Sequence, residues 1–83
     1  MKIADAEPTW YLIDNHILGK MDSLGCFIFN NGHWEEDTNN LIVDCILGYD
    51  PTEEGPYALG NTEIMGRIQE ITEIEAIAFM KMQ

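Results

Sequence analysis

The sequence predicts an α+β domain: a small antiparallel β-meander, with a hairpin at Asn31-Gly32, packed against two helices. Three observations carry that expectation. Asn31-Gly32 lies between two strand-like runs, and a type I′ turn favours this dipeptide because both of its central residues need positive φ. Leu41, Ile42, Cys45 and Ile46 recur at helical spacing, and Gly48 follows as a stop. Thr72-Glu73-Ile74-Glu75 has the form of a cap and an acidic first helical turn.

The elements follow in order. Trp10-Tyr11-Leu12-Ile13 has the aromatic and β-branched character of a short strand. Asp14-Asn15-His16 supplies turn residues, and Ile17-Leu18-Gly19-Lys20-Met21 is expected to return, with Gly19 at a bulge or bend. After a turn at Asp22-Ser23, residues 25–30 and 33–36 form the hairpin. A two-residue loop sets Asn30 opposite His33 and Phe29 opposite Trp34. Alternation then gathers Phe27, Phe29 and Trp34 on one face, expected to join the core, with Ile28 and Glu35 on the other.

Asp37 or Thr38 is expected to cap a helix that starts near Asn39, and Pro51 prevents its resumption beyond Gly48. Residues 48–61 read as a 14-residue surface loop, because Gly48, Pro51, Gly55, Pro56 and Gly60 break every pattern. Residues 64–71 fit a helical face through Ile64, Ile68 and Ile71, and also a strand. The strand is preferred, since a helix capped at Thr72 cannot begin inside another. The last helix, residues 73–82, is expected to bury Ile74, Ile77 and Ala78, with Lys81 near the negative end of its dipole.

A chain of 83 residues is expected to form one domain, 1–83. At this size roughly 60–65% of the surface is buried on folding, which leaves little room for a deep cofactor cleft. With 46% hydrophobic residues the chain is too apolar for intrinsic disorder. No run reaches the ~18 apolar residues of a membrane span. The opening Met1-Lys2-Ile3-Ala4-Asp5-Ala6-Glu7-Pro8 lacks the apolar centre of a signal peptide. Cys26 and Cys45 are expected to be buried free thiols, and the expected compartment is cytoplasmic.

Chemistry-bearing constellations are sparse. Cys26, Cys45, His16 and His33 show no CxxC or HxxxH spacing that would preorganise a metal. Asp50-Pro51-Thr52-Glu53-Glu54-Gly55 resembles the start of a calcium loop. Asn61 stands at its twelfth position, where a bidentate glutamate is required. A reactive thiol at Cys26 needs an electropositive setting, and this chain supplies the opposite. There is no GxGxxG, P-loop or GxSxG motif. Neither enzymatic activity nor a cofactor is expected.

Charge is the feature that asks for an explanation. Fifteen acids against four Lys and Arg give a net charge of −11. Residues 21–66 contain no Lys or Arg and nine acids: Asp22, Glu35, Glu36, Asp37, Asp44, Asp50, Glu53, Glu54 and Glu63. Direct binding to nucleic acid is thereby disfavoured, because phosphate contacts rest on Lys and Arg. A basic protein is the expected partner, met by Glu35, Glu36 and Asp37 after the hairpin and by Asp50, Glu53 and Glu54 on the long loop. Tyr49 and Tyr57, which flank that loop, are the expected aromatic anchors. Carboxylates can take the positions that phosphates occupy in a basic groove and pair with arginine forks. The alternative is a general interaction module or homodimeric accessory protein whose acidic surface serves only solubility.

In size and in this acidic block, Glu35-Glu36-Asp37 and Asp50-Pro51-Thr52-Glu53-Glu54 included, the chain resembles the small anti-defence proteins of phages and mobile elements. The resemblance is especially to anti-CRISPR and anti-restriction proteins, and the chain is also similar to immunity proteins that block a toxin nuclease. The resemblance implies a non-catalytic inhibitor of a basic nucleic-acid-processing enzyme. In the anti-CRISPR case it would block DNA or protospacer-adjacent-motif binding by a CRISPR nuclease.

Overall fold

The computed structural model describes residues 8–82, apart from the side chains of Pro56 and Tyr57. The reading of Met1 to Glu7 as a polar start lies outside the described residues. Five strands, β1 (Thr9–Ile13), β2 (Ile17–Asp22), β3 (Gly25–Asn30), β4 (His33–Glu36) and β5 (Ile68–Ile71), form one antiparallel sheet in the order β4-β3-β2-β1-β5. Three helices accompany it: α1 (Leu41–Leu47), α2 (Thr62–Met65) and α3 (Glu73–Lys81). The α+β meander expected from the sequence is the fold.

Local chemistry explains the turns. Asn31 and Gly32 adopt φ of 53° and 85°, as a type I′ turn demands, and Phe29 pairs with Trp34 and Asn30 with His33. Asp14 and Asn15 carry the β1–β2 turn in the left-handed region, which short side chains with local hydrogen-bonding oxygens tolerate. Arg67 ties that turn to the start of β5 through a bidentate pair with Asp14, at 2.9 and 2.8 Å.

Gly19 marks neither a bulge nor a bend, since the register runs unbroken from Tyr11 through Gly19 to Ile28. Its role is room. A Cβ there would lie 2.9 Å from Ile42 Cδ1, so the bare backbone lets α1 press onto the sheet.

The main core cluster lies on one face of the sheet. Ile13, Ile42 and Cys45 are its buried centre, with Tyr11, Ile17, Cys26, Ile28, Leu41, Ile46 and Ile68 packed around them. All the strand members of that cluster share the face covered by α1. Phe27, Phe29 and Trp34 do share a face, but it is the other one. There they stay half-buried with Trp10, Trp34 lying 5.2 Å from Phe29 and 5.9 Å from Trp10 between ring centroids. The Lys20 ammonium stands 4.7 Å above the Trp34 ring and 5.5 Å from that of Phe27. The expectation that the aromatic face joins the core is therefore corrected. The chain leaves β4 at Asp37, whose N–H continues the pairing to Cys26 O at 2.9 Å, and α1 turns back over the Cys26–Ile28 side.

The second half of the chain refines the expected elements. The strand reading of residues 64–71 holds for β5 alone; the residues before it form α2, whose N-cap Asn61 accepts from the N–H groups of Glu63 and Ile64. The long loop contains a 3-10 turn at Gly55–Ala58. Its base is closed by backbone bonds from Gly60 N to Leu47 O, Asn61 N to Gly48 O and Asp50 N to Ala58 O, at 2.8, 3.0 and 2.7 Å. With its ends held together in this way it is an Ω-loop.

Helix α3 starts as expected, in a full capping box between Thr72 and Glu75. Its buried face is different from the one expected. Ala76 is buried, with Phe79 and Met80 half-buried, whereas Ile74 is 80% exposed and Ile77 and Ala78 are exposed too. The helix crosses β1 and β2 on the face opposite α1, where Leu18 is buried. Ala76 is the fully buried residue of α3.

Candidate protein-interaction surface

The three consecutive acids at the end of the hairpin point in three directions. Glu35 lies opposite Ile28, on the α1 side. It is exposed, accepts from Asn30 Nδ2 at 3.1 Å and sits 2.9 Å from His33 Nε2. The Asn30 hydrogen bond, reinforced by His33, holds its carboxyl below the usual glutamate range. Glu36 pairs with Phe27 and so faces the aromatic side.

Asp37 turns inward. It is only 9% exposed, and its two oxygens accept from Leu41 N at 3.0 Å and Ile42 N at 2.9 Å. The formal N-cap of α1, Asn40, offers no side-chain bond. Asp37 therefore caps the helix from three residues upstream, as one of the two residues expected to do so. Its carboxylate is spent on that role, so it is withdrawn from the surface expected to meet a partner. Glu35, Asp37, Asn30, His16 and Leu41 line an open groove of about 470 Å3 where the end of the hairpin meets the start of α1.

At the other end of α1, Asp50 organises the loop. Thr52 donates to its Oδ1 from both N and Oγ1, at 2.9 and 2.6 Å, and Asn61 approaches its Oδ2 at 3.4 Å. The Thr52 side chain is the main reason its carboxyl titrates below the usual aspartate range. Glu53 and Glu54 stand exposed at the loop tip. Tyr49 is exposed beside it; the side chain of Tyr57 lies outside the described residues.

The arrangement on the α1 side thus holds Glu35 at one end and Asp50, Glu53 and Glu54 at the other, with Asp44 on the helix and Glu63 on α2. A seven-residue helix separates the two ends by about 10 Å. Glu36 and Asp37 do not belong to this surface.

Sequence reasoning missed the apolar residues among these acids: Val43, Leu47, Leu59 and Met65 are exposed. A signal was present, since LIVDCIL contains one polar residue in seven, which is more apolar than a helix with one solvent face requires.

The cysteines are structural in setting. Cys45 is buried in the core and Cys26 packs against it, both as free thiols. Burial pushes both thiols up, with Asp37 and Asp22 adding to the effect at Cys26. Among the described residues, no three His, Cys, Asp or Glu side chains converge to hold a metal ion. No helix among them is long and apolar enough to cross a membrane. No family model, curated protein or solved structure matches this chain.

Proposed function

We propose that this protein is a non-catalytic inhibitor that binds a basic nucleic-acid-processing enzyme, with a CRISPR nuclease as the target class its size and charge resemble. The observation that carries the reading is the acidic surface around α1. Glu35, Asp44, Asp50, Glu53, Glu54 and Glu63 come from a stretch of 46 residues without one Lys or Arg. Arg67, the next cation along the chain, is held by Asp14.

Clustering like charges costs stability through self-repulsion. A solubility role needs no such concentration, whereas a surface that competes with DNA phosphates does. Arg and Lys in a DNA-reading groove would pair with the carboxylates. Opposite potentials would also raise the association rate, towards ~10⁸–10⁹ M⁻¹s⁻¹ at low salt.

The test is capture from a bacterial lysate supplied with CRISPR effectors, at low and high salt, using the native protein and Glu53→Lys/Glu54→Lys and Glu35→Lys variants. The expected result is one basic nuclease, released by salt, competed by its DNA and lost with the reversed charges. Capture that ignores salt and tolerates both sets of reversals would remove the proposal.

A second reading, an interaction module that self-associates, is favoured by one observation: Trp10, Phe27, Phe29 and Trp34 remain half-exposed on the sheet. Salt-insensitive dimerisation in sedimentation equilibrium, abolished by Trp34→Ala, would select it.

A further inference from the structure

Helix α1 is apolar almost all the way round. Leu41, Ile42, Cys45 and Ile46 face the sheet. Val43 and Leu47, four residues apart on the opposite side, form an outward stripe, with Leu47 48% exposed. A helix with this pattern is ordinarily covered on both sides.

The stripe extends beyond the helix. The bond from Gly60 N to Leu47 O brings Leu59, itself 55% exposed, beside Leu47. A Cβ on Gly48 would lie 2.7 Å from Met65 Cγ, so exposed Met65 reaches the same end of α1. Val43, Leu47, Tyr49, Leu59 and Met65 are thus exposed on α1 and on the segments that meet its C-terminal end. Asp44, Asp50, Glu53, Glu54 and Glu63 come from the same helix, loop and α2.

We propose that this surface docks a basic amphipathic helix of the partner. Its apolar stripe would lie on Val43, Leu47, Leu59 and Met65, and its Lys and Arg would reach these carboxylates. The inference rests on the reading of the protein as a binder of a basic partner, and names the element it grips.

The chemistry favours this occupant. A surface that imitates phosphates needs carboxylates alone, and exposed Leu and Met contribute nothing to it. An amphipathic helix uses both sets of groups, as helix-in-groove recognition does. Unbranched Met65 adapts to the apolar side chains it meets. A second copy of this chain fits poorly, because a two-fold contact sets these acidic groups against their own copies.

The test uses the full chain and three synthetic peptides of about 18 residues, ~27 Å long as helices. One is a Leu/Lys amphipathic sequence, one a Lys/Arg sequence without an apolar face, and one a Leu/Gln amphipathic sequence without charge. Binding is read by titration calorimetry and by amide shifts. The Leu/Lys peptide is expected to bind in a salt-dependent way and to shift Val43, Leu47, Tyr49, Leu59 and Met65. The Leu47→Ser/Leu59→Ser variant should weaken it at least about tenfold, ~1.4 kcal/mol, while its far-UV circular dichroism stays native. Leu24→Ser, in the exposed β2–β3 turn, should change nothing and serves as the control.

Equal binding of the Lys/Arg peptide, unaffected by Leu47→Ser/Leu59→Ser, overturns helix docking and leaves the acidic reading standing. Equal binding of the uncharged peptide, without salt dependence, overturns both. A dimer that dissociates in the Leu47→Ser/Leu59→Ser variant overturns the proposal in favour of a second copy. Failure of all three peptides to bind also overturns it.

Discussion

Replacing Asp37 by alanine removes the only side-chain acceptors at the start of α1 among the described residues. Two N–H groups, those of Leu41 and Ile42, lose partners at 3.0 and 2.9 Å. The Ile42 N–H stands where water has little access, since Asp37 is 9% exposed and Ile42 fully buried, whereas Leu41 is half-buried. A helix cap is worth about 0.5–2 kcal/mol, and a buried donor left without a partner costs about 1–3 kcal/mol. Two such bonds give an expected loss of about 2–4 kcal/mol.

Asp37→Asn keeps one oxygen acceptor and should lose roughly half as much. Urea unfolding followed by far-UV circular dichroism reads the difference. At a slope near 1 kcal/mol per M, the alanine midpoint falls by about 2–4 M. That is a large part of the ~5 kcal/mol at the lower end of domain stabilities. Glu36→Ala, one residue away and exposed, should stay within about 0.5 kcal/mol. An Asp37→Ala midpoint indistinguishable from that of Glu36→Ala would refute the capping argument and return Asp37 to the list of partner contacts.

Gly48→Ala should be more disruptive than its size suggests. The residue ends α1 with φ of +64°, and an added Cβ would lie 2.6 Å from Asn61 N, so a loss of about 1–3 kcal/mol is expected in the same assay. Asp14 gives a pH signature. Its hydrogen bond from Arg67 lowers the carboxyl below the ordinary 3.8, so its contribution is complete above that value and lost as pH falls through the folded-state value. Asp14→Asn should therefore flatten the acid limb of the stability profile, and an unchanged limb would count against the pairing. The thiols offer a third check. With burial raising both, iodoacetamide at neutral pH should label Cys26 slowly and Cys45 only on unfolding; rapid double labelling of the native protein would contradict the packing.

Elements whose cause is local were legible in advance. Asn31-Gly32 needs only its own backbone to favour the type I′ turn, and Thr72 with Glu75 satisfies the first turn of α3 within four residues. The acceptor role of Asp37 for the start of α1 was legible for the same reason. Helix α2 was not. Four residues with Gly66 behind them show too short a period to separate from a strand, and the Asn61 cap was hidden among loop residues.

The candidate surface was legible as charge but not as shape. Consecutive acids in a strand alternate in direction, and so Glu35, Glu36 and Asp37, adjacent in sequence, part company in space. The loop acids behave differently, because the Ω-loop closes on Leu47, Gly48 and Asp50 and presents Glu53 and Glu54 together at its tip.

The sequence by itself determined the hairpin turn, the caps of α1 and α3, the α+β class and the concentration of acid in residues 21–66, since each depends on neighbours within a few positions or on composition alone. The tertiary structure decided which face of the sheet became the core and which face of α3 packs inward. Alternation establishes that Phe27, Phe29 and Trp34 share a face. It cannot say that α1 covers the opposite one, because that depends on where the chain travels after Asp37. Helical spacing likewise allows Ile74 and Ile77, or Ala76 with Phe79 and Met80, to turn inward. The choice was made by the packing of α3 against β1 and β2, which leaves Ala76 buried and Ile74 and Ile77 exposed.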